Sequence, residues 1–371
     1  MVYVTKHASD RTHQMTLEEF LSPDYEPHVR SAGRADTETR ILKSSPDYVN
    51  TQRVVELLRK FCETYRHLYE CPREALYQEF QIPKRSGGYR RIDAPKDGLK
   101  VALCHLKDIF ELDCKTLFHT AAFAYVKGRS TVDAVRKHQK AESNWFARFD
   151  LKDFFGSTTK GFLLKQMSMI YPYNVIMMTD HDALSQAIDL CFLRGGLPQG
   201  TPISPFLTNL MMIPIDHRLA QEFRKRSFVY TRYADDFIVS AKEKFRPDEV
   251  NRIIDDVLKE FDAPFRIKPE KTRFGSRAGQ NWILGVMLNK DGNITIGNKN
   301  KRRINAALFE FGMDLKNGIH WDLEDLQILM GKISYLVMVE DEEAAEAIYQ
   351  KVSGKVGFPV DKALRKELAT V

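Results

Sequence analysis

Three aspartates stand where strand-forming runs end. Asp235 and Asp236 are adjacent inside "YTRYADDFIVSAK" (230–242), with aromatic and β-branched residues on both sides, and Asp150 closes "WFARFD" (145–150). The first stretch reads as a hairpin with the acidic pair at its tip. Period-two alternation in the second puts Phe146, Arg148 and Asp150 on one face and Trp145, Ala147 and Phe149 on the other. If the two elements are neighbours in one sheet, three carboxylates converge. Converging acids repel at low effective dielectric unless cations neutralise them. A small set of hard oxygen ligands suits Mg²⁺, which keeps waters and takes its remaining ligands from a substrate phosphate. Two such ions, roughly 3.5–4 Å apart, activate an attacking hydroxyl and stabilise the leaving oxygen of an in-line displacement. On the pair alone a plainer reading stays open, with Asp235 and Asp236 solvated at a tip and Asp150 capping a helix.

The elements that must position these acids can be read from hydrophobic spacing. Val54, Leu57, Leu58 and Phe61 recur at i, i+3, i+4 and i+7, an amphipathic helix. "EFQIPKRSGGYRRIDAP" reads as two short strands around a Gly-Gly turn, and "GLKVALCHLKDIFELDC" returns to helical spacing. A helix is expected after Asp150, then the turn-rich "RGGLPQGTPISPFLTNLMM" (194–212). Beyond the hairpin come a helix near 247–261 and a strand pair in 281–297, where Asp291-Gly292 is a hairpin signal. The last seventy residues are mostly helical. Helices and strands without strict alternation argue for an α+β fold. Residues 1–48 are polar, carry Pro23, Pro27 and Pro46, and read as an extended or partly helical extension.

The chain has 371 residues, 43% hydrophobic and 29% charged, as expected of a soluble globular protein with two or three packed subdomains. No apolar run has membrane-spanning length, and the first residues lack a signal-peptide stretch. Five cysteines at wide spacings, with no CxxC pair, read as reduced thiols in a cytoplasmic setting. A net charge of +6 is compatible with a nucleic-acid partner without requiring one. Two basic groups lie in 82–100 and 297–311. In the second, Ile304, Ala307, Leu308 and Phe311 form a helix stripe with Lys299, Lys301, Arg302 and Arg303 at its start. Cations there oppose the helix dipole, and a docked phosphate backbone would offset the conflict.

Taken in order, the motifs resemble those of reverse transcriptases. "RYADDF" (232–237) resembles their YxDD box, and "FDLKDFFGS" (149–157) their first catalytic motif. "GLPQGTPISPFLTNL" (196–210) resembles the LPQG box, "IPKRSGGYRRIDAP" (82–95) the fingers motif, and "AYVKGRSTVDAV" (124–135) the segment before the catalytic strand. "KPEKT" (268–272) and "WILGVML" (282–288) are similar to the motifs that close the palm. The likeness covers residues 75 to 297. It implies a right-hand polymerase architecture: an N-terminal extension over 1–50, fingers and palm over 51–297 with an antiparallel sheet backed by helices, and a helical thumb over 298–371. It implies that Asp150, Asp235 and Asp236 hold two Mg²⁺ ions, for which Mn²⁺ can substitute, with Asp236 placed less directly. Phe155 would be the steric gate against ribonucleotides, one of Phe154 and Phe155 being core. Lys84 and Arg90 would hold the incoming triphosphate, Gln199 would position the template–nucleotide pair, and Lys271 would neutralise or protonate pyrophosphate. Tyr233 would line the primer end, and Lys299, Lys301, Arg302 and Arg303 would meet nucleic acid. The implied partners are a template RNA, in particular a cognate non-coding RNA, a DNA or RNA primer, dNTPs, and an effector protein or a second copy.

Departures from family patterns narrow the type. Where retron enzymes carry Asn-Ala-x-x-His and Val-Thr-Gly, this chain reads "DAVRKH" (133–138) and "ILG" (283–285). Gln199 is present, which diversity-generating enzymes usually replace. About 70 residues after 300 leave no room for the maturase region of group II intron proteins. These features point to compact bacterial reverse transcriptases of unknown-group type, many tied to phage defence. Two alternatives remain at this level: untemplated or protein-primed synthesis on the same palm, for which Tyr3, Tyr25 and Tyr48 are available, and a non-catalytic RNA-binding scaffold.

Overall fold

Alternating strands with both faces covered build the centre of the molecule. The computed structural model describes residues 49–84, 87–277 and 284–370, together with two short strands near the N-terminus. In chain order the first elements are β1 (Val2–Tyr3), β2 (Gln14–Met15), α1 (Thr51–Thr64), α2 (Arg66–Tyr69), β3 (Tyr77–Pro83), β4 (Tyr89–Pro95) and α3 (Asp97–Asp108). Then follow α4 (Thr131–Lys140), β5 (Trp145–Asp150), α5 (Lys160–Met167), α6 (Tyr173–Asp189), α7 (Ser204–Met211), α8 (Ile213–Arg224), β6 (Val229–Tyr233) and β7 (Asp236–Ala241). The rest comprises α9 (Pro247–Glu260), β8 (Arg273–Ser276), β9 (Met287–Leu288), β10 (Ile294–Thr295), α10 (Asn298–Lys316), α11 (Leu323–Val339), α12 (Glu342–Val356) and α13 (Val360–Thr370).

The main sheet is antiparallel, in the order β6-β7-β5-β8. Alternation assigns its two faces to two cores. Ala147, Phe149, Phe237 and Val239 join one, and Phe146 and Ile238 join the other. Behind the first face lie α8 and α9, which contribute Ile215, Leu219, Phe223, Val250, Ile254 and Val257. Pro247 opens α9, with Asp248 and Glu249 in its first turn, where acids complement the helix dipole. The expected α+β architecture, an antiparallel sheet backed by helices, is what the chain forms.

The β3–β4 hairpin stands out from this body: Tyr77 is buried, while Phe80, Ile82 and Tyr89 are exposed. Helix α4 is opened by a capping box in which Ser130 and Asp133 satisfy each other's backbone N–H groups. It packs between β6 and the β9–β10 pair. The second core gathers Val286, Leu288, Ile304, Leu308, Leu326 and Leu336 from β9, the residue before it and the C-terminal helices, and it extends through Val132 and Val135 of α4 to Phe146 and Ile238 of the main sheet. None of the described helices is long and apolar enough to cross a membrane. The expectation for the extension over 1–50 lies outside the described residues except for β1, β2, Val49 and Asn50. The same holds for Asn281, Trp282 and Ile283 of the strand pair expected in 281–297.

Candidate active site

The acidic hairpin is closed by the cross-strand pair Tyr233↔Asp236, which leaves Ala234 and Asp235 as the turn. Ala234 has φ +55, a left-handed conformation that a residue with a Cβ adopts at a cost. What holds it there is Arg232, two residues upstream. Its Nη1 donates to the Ala234 carbonyl at 3.1 Å and to Asn209 Oδ1 at 3.1 Å. Its Nη2 and Nε form a fork on Asp216, at 2.7 Å to Oδ2 and 2.9 Å to Oδ1. Tyr230 donates its hydroxyl to the same Asp216 oxygen at 2.8 Å. Arg232 and Asp216 side chains are both fully buried, so each charge depends on the other. Asn209 also donates to the Ala124 carbonyl at 2.6 Å, joining the 121–125 segment to α7.

Asp150 lies directly opposite Asp236 in the β5–β7 register, and Leu151 N donates to the Asp235 carbonyl at 3.0 Å. The three expected acids are therefore brought together by adjacent strands. Their partners differ. Asp150 accepts from Lys268 Nζ at 2.5 Å and from Lys271 Nζ at 3.0 Å. Asp236 accepts an arginine fork, with Arg148 Nε 3.0 Å from Oδ1 and Nη2 2.6 Å from Oδ2. Asp235 has no hydrogen bond or ion pair from a described side chain. Burial, then the neighbouring Asp236 and Asp150, push its carboxyl above the usual range. Burial also raises Asp236, against the opposing pull of Arg148. The hydrogen bond to Asp150 raises Lys271.

Among the described residues no three His, Cys, Asp or Glu side chains form a ready-made metal cage. The donor set still fits a hard divalent ion: carboxylate oxygens only, few in number, with Asp235 making no ion pair among the described residues. Such a set holds Mg²⁺ weakly until a substrate phosphate completes the shell.

The other expected site residues fall in four places. Phe154 is core at 2% exposed, whereas Phe155 is half-buried beside it. The Phe155 carbonyl accepts from Leu197 N at 3.0 Å, which ties the first acidic strand's turn to the "GLPQG" loop. There Gly196 lies so close to Gly156 that a Cβ would come within 2.2 Å of its carbonyl oxygen. The Gln199 carbonyl accepts from Asp93 N at 2.8 Å, fastening the loop to β4. Lys84 and Arg90 are exposed on the β3–β4 hairpin, whose Gly87 and Gly88 take φ of +87 and +76. Tyr233 is half-buried at the end of β6. At the start of α10, Lys299, Arg302 and Arg303 are exposed, but Lys301 turns to Glu340 at 2.5 Å.

Sequence reasoning missed Arg148, Lys268, and the Arg232–Asp216–Asn209 set. Alternation had already placed Arg148 on the face of Asp150, and Lys268 stands within the quoted "KPEKT". Tyr125 was missed as well. It takes φ +58, remains 54% exposed, and its phenol is raised by burial and by the nearby Asp235 and Tyr233.

Comparisons with known proteins give the family. Residues 82–288 match the family described as reverse transcriptase (RNA-dependent DNA polymerase). The chain is 28% identical over 300 residues to retron Ec83 reverse transcriptase of Escherichia coli, covering 78% of this chain and 90% of that one. Retron Ec73 reverse transcriptase of Escherichia coli is 31% identical over 268 residues, covering 70% and 81%. Retron Mx162 reverse transcriptase of Myxococcus xanthus is 32% identical over 237 residues, covering 58% of this chain and 48% of its own length. These relatives are retron enzymes, so the departures at 133–138 and 283–285 do not set the chain apart from the retron type. The chain belongs to the reverse transcriptase family, as a bacterial retron-type RNA-directed DNA polymerase.

Proposed function

We propose that this enzyme extends a primer 3′-hydroxyl with dNTPs on a template RNA by two-metal-ion phosphoryl transfer. The observation that carries the reading is the convergence of Asp150, Asp235 and Asp236 at the adjoining ends of two neighbouring strands, with Asp235 making no ion pair among the described residues. Asp150 and Asp235, with Asp236 beside them, would hold Mg²⁺, or Mn²⁺ in its place. When bound, the ions supply activation of the 3′-hydroxyl and charge compensation at the leaving oxygen. The chain's own residues supply the rest. Lys84 and Arg90 fold over the triphosphate, a point charge and a fork suited to phosphate. Lys271, already within reach of Asp150, neutralises or protonates the departing pyrophosphate. Phe155 blocks a ribose 2′-hydroxyl from the position fixed by its bond to Leu197. Gln199 and Tyr233 border the nascent pair and the primer end. Lys299, Arg302 and Arg303 face the nucleic-acid backbone.

We assign the template to a cognate non-coding RNA, the setting to the cytoplasm, and the biological role to phage defence with an effector partner. The test is incorporation of labelled dNTPs with Mg²⁺ on a primed RNA template and without template. An Asp235→Asn, Asp236→Asn enzyme is run beside the wild type. Template-dependent product lost in the variant supports the reading. Product of equal yield without template would replace it with untemplated or protein-primed synthesis.

A further inference from the structure

Arg148 is the cation that the catalytic strand itself carries into the acidic cluster. It lies two residues before Asp150 on the same face of β5, directly opposite Ile238. That register makes Asp236 its diagonal neighbour, within reach of a long side chain. The guanidinium takes both carboxylate oxygens of Asp236, at 3.0 and 2.6 Å. The two lysines on Asp150 are different in kind. Each makes one contact from a flexible stem, and the Lys271 side chain is 52% exposed. An ammonium can leave for a phosphate, whereas a planar fork with two parallel bonds holds its carboxylate in one orientation.

We propose that Arg148 is a positioning residue that holds Asp236 out of the metal shell, leaving Asp150 and Asp235 as the ligands. Asp236 is then the counter-ion that fixes the start of β7 and, through it, the turn bearing Asp235. This deepens the metal reading above and rests on it. A divalent ion bound to Asp236 would have to break both bonds of the fork or share the carboxylate with a permanent positive charge. Asp235 presents no such obstacle, and Asp150 presents only exchangeable ones. Adjacent aspartates in one motif thus do separate work, decided by a residue outside that motif.

The test is Mn²⁺ titration of the full chain without nucleotide or nucleic acid, followed by the paramagnetic signal of the free ion. Removing the neutral pair together, in Arg148→Gln/Asp236→Asn, should leave Mn²⁺ affinity within about threefold of wild type, because no ligand and no net charge is lost. Asp235→Asn should weaken it about tenfold or more, since affinity follows ligand charge. Arg148→Gln alone frees Asp236 and should tighten binding. Arg148→Lys, which keeps the charge and so guards against misfolding, should fall between Arg148→Gln and wild type. A pair variant as weak as Asp235→Asn, or an Arg148→Gln variant no tighter than wild type, overturns the assignment. Mn²⁺ binding that ignores both Asp150→Asn and Asp235→Asn would instead overturn the metal reading and take this inference with it.

Discussion

At the scale of single residues, the site depends on close approach as much as on charge. Gly200 has φ +116, and a Cβ there would lie 2.7 Å from Ile92 Cγ2 and 3.1 Å from the Asp93 carbonyl oxygen. Neither the strained backbone nor the crowding tolerates a side chain, so the "GLPQG" loop would be lifted off β4. Gly200→Ala is expected to cost about 1–3 kcal/mol in urea unfolding, the usual range for overpacking. It should also raise the KM for dNTP, because Gln199 rides on the same loop. A variant with wild-type stability and KM would show that the loop is not fastened where it is drawn. The glycine's place in a motif was legible from sequence. Its reason was not, since β4 is more than a hundred residues away.

At the scale of elements, polar clusters set the relation of strands to helices. Arg232 and Asp216 link β6 to α8 and carry the Ala234 turn. Asp216→Ala leaves a buried guanidinium without its partner and is expected to cost about 3–5 kcal/mol. Replacing both, Asp216→Leu with Arg232→Met, should recover most of that stability but not the polymerase rate, because the Ala234 carbonyl loses its donor. Recovery of the rate as well would show that the turn needs no such support. A second cluster joins α4 to the sheet. His138 Nδ1 lies 2.6 Å from Ser240 Oγ, and Nε2 lies 2.8 Å from Thr231 Oγ1. Ser240 donates to Ser143, so it accepts from Nδ1–H, and Nε2 is left to accept from Thr231.

Burial, helped by Lys137, lowers this histidine from its ordinary value to about 3. The folded form therefore stays neutral where the unfolded chain already binds a proton. The resulting stability is fully present above about pH 6.5 and is lost as pH falls toward 3, with a limiting slope of about 1.4 kcal/mol per pH unit. Denaturation midpoints measured from pH 7 to pH 4 should fall more steeply for wild type than for His138→Gln. Parallel curves would contradict the buried neutral ring.

At the scale of the whole molecule, the C-terminal helices present charge selectively. Lys299, Arg302 and Arg303 carry no ion pair among the described residues, while Glu340 holds Lys301 and also accepts from Thr295 Oγ1 and Ile296 N. Replacing the three exposed cations by alanine should weaken binding of a primed RNA template and reduce the logarithmic salt slope by roughly 2–3. Lys301→Ala should leave that slope unchanged and lower the stability of the C-terminal unit. The opposite pattern would reverse the assignment of surface and support. Four cations in five residues read alike in sequence, and only the packing of α11 against α10 separates them.

Local patterns determined the chemistry. Alternation placed Arg148 and Asp150 on one face, the flanking strand-forming runs placed the acidic pair at a hairpin tip, where Asp235 is in the turn and Asp236 opens β7, and the ordered motifs pointed to the polymerase. Helical stripes such as Ile304, Leu308 and Phe311 were likewise visible, because burial follows periodicities of two and 3.6 residues. Only the tertiary structure decided which cation meets which acid. The forks of Arg148 on Asp236 and Arg232 on Asp216, and the lysines on Asp150, depend on strand register and on contacts between residues up to 121 positions apart. A sequence pattern fixes the direction in which a side chain leaves the backbone, but a partner supplied by another element is set only when the elements pack.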